Sequence, residues 1–123
     1  MAPHTVSIRP CAQAGRFYPF APAELRAEVE AYLGAARTAD GAGATPPLPG
    51  WGEGSLLRAL IAPHAGYIFS GSTAGRAFAL LRGEAGRPVR RVIVLAPAHT
   101  LRFRGVASHA AAGFETPLGV APL

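Results

Sequence analysis

"LLRALIAPHAGYIFSGSTAGRAFALL" occupies residues 56–81, and "VRRVIVLAPAHT" occupies residues 89–100. The first opens on a short apolar run, Leu56 to Ala62, bounded by Gly54 and Pro63. A run of that length with a proline at its end reads as a buried strand. The second carries Val92 to Leu95, apolar on both faces of an extended chain, as a covered parallel strand requires. Between them Ser72 to Leu81 reads as a helix, with Ala74, Phe78 and Leu81 on one face and Ser70 or Ser72 as its cap. "GEAGRP" breaks the chain after it. Residues 56–96 are therefore expected to form one strand–helix–strand unit, right-handed, with both strand C-termini on the same edge.

Both expected strands end alike, the first in "LIAPH" and the second in "LAPAH". Residues just beyond the C-termini of neighbouring parallel strands share one crevice, where ligands bind in open α/β sheets. His64 and His99 are thus expected to be neighbours in space. Neutral imidazole nitrogen binds iron, zinc or copper, so a pair of such rings is the start of a transition-metal site. Two ligands do not complete one. A structural zinc takes four, and a catalytic metal about three plus water. Glu115 is the best acidic candidate for a further ligand, and His109 can approach the crevice. Cys11 reads as a small core residue more readily than as a thiolate ligand. Tyr67 serves either packing or the orientation of a ligand, and Ser70 and Thr100 complete the candidate lining.

Working outward, "FAPAELRAEVEAYLGAA" reads as a helix. Pro22 suits its first position, Glu24 complements the dipole, and Leu25, Val29, Tyr32 and Leu33 recur on one face. It should fade near Arg37. Residues 38–55 are rich in glycine and proline and read as a surface loop. A short third strand is expected near "GVASH", and "ETPLG" reads as a turn. Half of the 123 residues are apolar, enough for one small domain with a core. The only cysteine, Cys11, excludes an internal disulfide. No apolar stretch is long enough to span a bilayer and "MAPHTVSIRPCAQ" has no signal pattern, so the expectation is a cytoplasmic protein without membrane contact. The formal charge is +5, all of it from scattered arginines. That charge, with one local cluster at Arg87, Arg90 and Arg91, is a weak hint of nucleic acid, but there is no basic run interleaved with aromatics, so nucleic acid is not expected as a partner.

Four segments, "AGRFYP" (14–19), "APHAGYIFSG" (62–71), "VIVLAPAH" (92–99) and "TPLG" (116–119), stand in the order and spacing of the Memo family, which this chain resembles from about Arg9 to Gly119. The resemblance implies an α/β fold: a partial parallel or mixed sheet with flanking helices, like the N-terminal half of a class III extradiol dioxygenase-like domain. It implies a single partial domain over residues 1–123, the N-terminal portion of a longer family domain.

The family's first two metal-site histidines lie in its "PHAGY" and "GPSHH" motifs, matched here by His64 and His99. The second histidine of the latter motif is replaced by Thr100, and its Gly and Ser by Ala96 and Ala98. The implied function is that of a truncated Memo-like protein with two histidines of a non-haem crevice, iron-type with copper or zinc as alternatives, incomplete in this chain. The full-length family would carry a redox or dioxygenase-like role. The implied partners are a radical-SAM pathway protein and either the remaining half in trans or a second copy. The rival expectation is a non-catalytic scaffold that holds a peptide or small ligand in the same crevice.

Overall fold

The computed structural model describes residues 7–38, 56–82 and 89–123. Two helices and a small mixed sheet make up its regular structure, an α/β arrangement. In chain order these are β1 (Ile8–Arg9), α1 (Pro22–Thr38), α2 (Tyr67–Ala79), a 3₁₀ turn (Leu80–Arg82), β2 (Gly113–Thr116) and β3 (Gly119–Pro122). The loop expected over 38–55 lies outside the described residues apart from Thr38, the last residue of α1, and so does "GEAGRP".

Helix α1 forms as its sequence requires. Pro22 takes the first position, where its missing N–H costs nothing, and Glu24 sits in the first turn. Leu25 is buried, and Val29, Tyr32 and Leu33 are half-buried on the same face. That face packs on α2.

Helix α2 departs from expectation in two ways. It begins at Tyr67 rather than Ser72, and Gly66, not a serine, is its N-cap. The Gly66 carbonyl accepts from the N–H groups of Phe69 and Ser70, so "YIF" enters the helix despite its strand-like composition. The Ser70 hydroxyl donates back to the Ala65 carbonyl at 3.1 Å, the backward bond of a serine inside a helix. The buried face is also different. It is Gly71, Gly75 and Ala79, together with Ser70, while Phe78 and Leu81 of the expected face are exposed. The reason is steric. A Cβ on Gly71 would lie 2.5 Å from Tyr32 Cζ, and one on Gly75 would lie 2.7 Å from the Tyr32 backbone oxygen. Only a stripe of small residues lets the two helices come this close. The Tyr32 hydroxyl donates to Glu28 at 2.8 Å and lies 3.3 Å from the Tyr67 carbonyl, and Arg82 donates to Glu30 at 2.6 Å.

The sheet is built from segments other than those expected. β1 pairs with β2 in parallel, Ile8 opposite Gly113, and β2 pairs with β3 antiparallel. "TPLG" closes the β2–β3 hairpin as a turn, as read from the sequence. The Thr116 hydroxyl donates to the Gly119 carbonyl at 2.8 Å and accepts from the Leu118 N–H at 3.1 Å. Gly119 has φ +124°, a conformation that other residues rarely take. No strand forms near "GVASH".

Nor do residues 56–62 and 89–96 join a ladder. Both runs border one cleft of about 640 Å³, but Ile61 is 97% exposed and Ile93, Val94 and Leu95 are at least 80% exposed. An apolar run becomes a covered strand only when neighbours pair its edges and helices cover its faces. The described residues supply neither. Leu25, Ala79 and Ala111 are the buried apolar side chains among them, so the core is thin and lies mainly at the α1–α2 contact.

Candidate functional site

The site begins with a turn. Gln13 offers its carbonyl to the N–H groups of Arg16 and Phe17, and the Gly15 N–H bonds the Tyr18 carbonyl at 2.8 Å. This folds "AGRFYP" into a tight loop. The Phe17 carbonyl then receives the Tyr67 N–H at 2.7 Å, and the Tyr18 and Tyr67 rings stand 5.8 Å apart. The loop thus docks on the first residue of α2, directly after "PHAG". Two segments nearly fifty residues apart are held together by one backbone bond and one ring contact.

A cavity of about 410 Å³ opens beside this junction. Its wall includes His64, Tyr67, Tyr18, Cys11, Arg9 and Glu115. β1 and β2 bring the last two there, because Arg9 pairs with Phe114, the residue before Glu115. The Arg9 guanidinium lies over the Phe114 ring, 5.3 Å from its centre. Burial raises the phenol of Tyr67 above its ordinary value, and the Glu28 carboxylate adds to the effect. Burial also raises Tyr18. Both hydroxyls therefore stay protonated and available as donors at neutral pH.

His64 also borders the larger cleft, and its ring meets that of His99. Their Nε2 atoms are 3.1 Å apart, their ring centres 5.1 Å, and the rings are tilted by 34°. Both side chains are exposed. The juxtaposition expected from the sequence is present, but irregular segments rather than strand ends create it.

The other candidates divide. Tyr67 and Glu115 line the cavity with His64, whereas Ser70 is buried against the backbone before its own helix. Thr100 is exposed beside His99. His109 stays with its own loop: its Nδ1 accepts from the Ala111 N–H at 2.9 Å, and its ring meets the edge of Phe114 at 5.9 Å. Cys11, expected in the core, is half-buried on the cavity wall. Among the described residues no group of three or more His, Cys, Asp or Glu side chains is arranged to hold a metal ion. Sequence reasoning missed Arg9 and Tyr18. The signal for Tyr18 was its place in "AGRFYP". Nothing local marked Arg9, whose position depends on pairing with a strand a hundred residues later.

Three of the four segments meet here, the fourth closing the β2–β3 hairpin; all four are those of one family, and the chain belongs to it: the Memo-like protein family matches over residues 9–122. A MEMO1 family protein of Methanopyrus kandleri is 39% identical over 109 residues, covering 88% of this chain and 36% of that relative. One from Methanothermobacter thermautotrophicus is 37% identical over 112 residues, 91% of this chain and 38% of the relative. A third, from Saccharomyces cerevisiae, is 33% identical over 117 residues, 93% of this chain and 30% of the relative. The chain spans about a third of the length of these curated relatives. No solved structure matches it. No helix among the described residues is long and apolar enough to cross a membrane.

Proposed function

We propose that this chain supplies two imidazole ligands, His64 and His99, of an iron-type transition-metal crevice in a Memo-like protein. The observation that carries the reading is the 3.1 Å separation of the two Nε2 atoms. With metal–nitrogen bonds of about 2.0–2.1 Å, two imidazole nitrogens on one ion stand about 2.9 Å apart at a right angle and about 3.3 Å apart at the tetrahedral angle. The observed spacing falls between these, so the pair fits a shared ion with little movement. The donor chemistry suits iron, copper or zinc.

A bound ion of this kind would act as a Lewis acid or a one-electron centre toward a ligand in the adjoining cavity. The chain's own side chains would hold that ligand. Tyr18 and Tyr67 offer phenol donors, and Arg9 offers a positive charge on the same wall. Completion of the site falls to donors outside the described residues, either in polypeptide of the family's full length or in a second copy. A dioxygenase-like or other redox activity, and a radical-SAM protein as pathway partner, belong to that complete assembly.

The test is a cobalt(II) titration followed by visible absorption. Wild-type protein should develop ligand-field bands, and His64→Ala and His99→Ala should each lose them. If wild-type protein gives no bands, the 3.1 Å contact is a hydrogen bond between one protonated and one bare nitrogen. That result counts against the metal reading and favours the rival, a non-catalytic crevice that holds a peptide or small ligand.

A further inference from the structure

We infer that the three tyrosines of this chain form a one-electron relay, which carries an oxidising equivalent from the cavity lined by His64 to Tyr32 in the α1–α2 contact, where Glu28 takes the phenol proton. The inference stands whether or not His64 and His99 hold a metal ion. The chain has three tyrosines, and they come from three separate segments: Tyr18 in the loop before α1, Tyr32 within α1 and Tyr67 at the start of α2. Their rings meet in one continuous row. Tyr18 and Tyr67 stand 5.8 Å apart between ring centres, tilted by 44°, and Tyr67 and Tyr32 stand 6.0 Å apart, edge to face. Both separations are those of directly contacting aromatic pairs. Electronic coupling falls steeply with distance, so an electron passes between touching rings far faster than across a gap one ring wide. The two ends of the row differ. Tyr18 and Tyr67 wall the cavity together with Cys11 and His64, whereas the Tyr32 ring packs against Gly71.

The electrons and protons balance. A small radical oxidant that enters the cavity takes one electron from Tyr18 or Tyr67, and the vacancy moves ring by ring until Tyr32 has supplied the electron. An oxidised phenol is strongly acidic, and the Tyr32 hydroxyl already donates to a Glu28 carboxylate oxygen at 2.8 Å. The proton moves along that bond. Tyr32 becomes a neutral phenoxyl radical, Glu28 becomes a carboxylic acid, and the oxidant has gained one electron. Burial opposes the loss of a proton at Tyr18 and Tyr67, which favours the far end of the row. The oxidising equivalent thereby leaves the wall that carries the Cys11 thiol, a group that oxidation converts to acids of sulfur.

The experiment treats the protein with peroxynitrite in bicarbonate. That mixture yields the carbonate radical anion, which takes the electron, and nitrogen dioxide, which marks the resulting phenoxyl radical as nitrotyrosine. Trp51→Phe, which removes the one tryptophan as a competing donor, is the background throughout. Peptide mass spectrometry reads the yield at each tyrosine, and circular dichroism checks that each variant keeps its helices. In the background protein nitration should concentrate at Tyr32. Tyr67→Phe keeps a ring in the row but removes the oxidisable phenol; it should cut the Tyr32 yield several-fold and raise that at Tyr18. Glu28→Gln keeps an acceptor for the hydrogen bond but removes the base; it should also cut the Tyr32 yield several-fold. Tyr32→Phe removes the end point and should raise nitration at Tyr18 and Tyr67. A Tyr32 yield unchanged by Tyr67→Phe would show that the oxidant reaches Tyr32 from solvent, and overturns the relay. Nitration highest at Tyr18 or Tyr67 in the background protein, or no rise at either in Tyr32→Phe, overturns it too. A Tyr32 yield lost in Tyr67→Phe but retained in Glu28→Gln overturns Glu28 as the proton acceptor and leaves the row of rings standing.

Discussion

The close approach of α1 and α2 gives the sharpest test of the fold, because three helical glycines should answer differently to the same change. Gly34 lies in α1 with nothing within 4 Å of a built Cβ. Gly34→Ala should therefore gain the full propensity difference, about 0.5–1 kcal/mol. Gly75 is the opposite case. Its added Cβ would meet Tyr32 Cβ and the Tyr32 carbonyl oxygen, both at 2.7 Å, and the Tyr32 carbonyl carbon at 2.8 Å. Backbone cannot swing aside, so the helices must separate by roughly 0.8–1 Å to restore contacts of about 3.5 Å or more. Overpacking of this kind costs about 1–3 kcal/mol. Against a propensity gain of about 0.5–1 kcal/mol, Gly75→Ala should lose roughly 0.5–2 kcal/mol net. Gly71→Ala collides with the Tyr32 ring instead, 2.5 Å from Cζ. The ring can give, but its hydroxyl is held by Glu28 at 2.8 Å, so the loss should be smaller than at Gly75 and still a loss. Urea unfolding followed by the helical circular-dichroism signal reads all three. Equal or raised stability of Gly75→Ala would show that the helices do not pack through this stripe, and the description of the core would fall.

Tyr32→Phe should lower stability by about 0.5–1.5 kcal/mol through loss of its hydroxyl contacts, with the helical signal retained; an unchanged urea midpoint would contradict this. Tyr18 and Tyr67 are raised above the ordinary 10.0 mainly by burial, and Tyr32 mainly by its bond to Glu28. The unfolded chain therefore releases these protons first, so stability should be full below pH 10 and fall as pH rises through the raised folded values; a flat urea midpoint from about pH 9 to 11 would refute this. Thr116→Ala removes both side-chain bonds of the hairpin turn and should cost about 1 kcal/mol, read as faster amide exchange in β2 and β3. The exposed run Val92 to Leu95 should bind a hydrophobic dye, and Ile93→Lys should reduce that fluorescence; an undiminished signal would place dye binding elsewhere.

Much of α1 was legible because its information is local: a proline at the first position, an acid in the first turn, and apolar residues at helical spacing. The "TPLG" turn was legible for the same reason. What failed was relational. Leu56 to Ala62 and Val89 to Ala96 have strand composition, but pairing belongs to two segments and cannot be read from one. Helix α2 was misread because its buried face consists of glycines and alanine, which carry no hydrophobic signal. Only the facing Tyr32 gives Gly71 and Gly75 their meaning. β1 is two residues long, and its partner lies more than a hundred residues away. His64 and His99 were brought together on paper by their repeated "APH" and "APAH" endings, although the ladder assumed to carry them does not form.

The proposal that these two rings share an ion is tested most directly by long-range ¹H–¹⁵N spectra of the histidine rings during a Zn²⁺ titration. Nε2 of His64 and Nε2 of His99 should shift together and saturate at the same metal concentration, while His109, engaged with the Ala111 N–H, should stay in place. Shifts confined to one of the pair, or absent from both while His109 responds, would contradict the account.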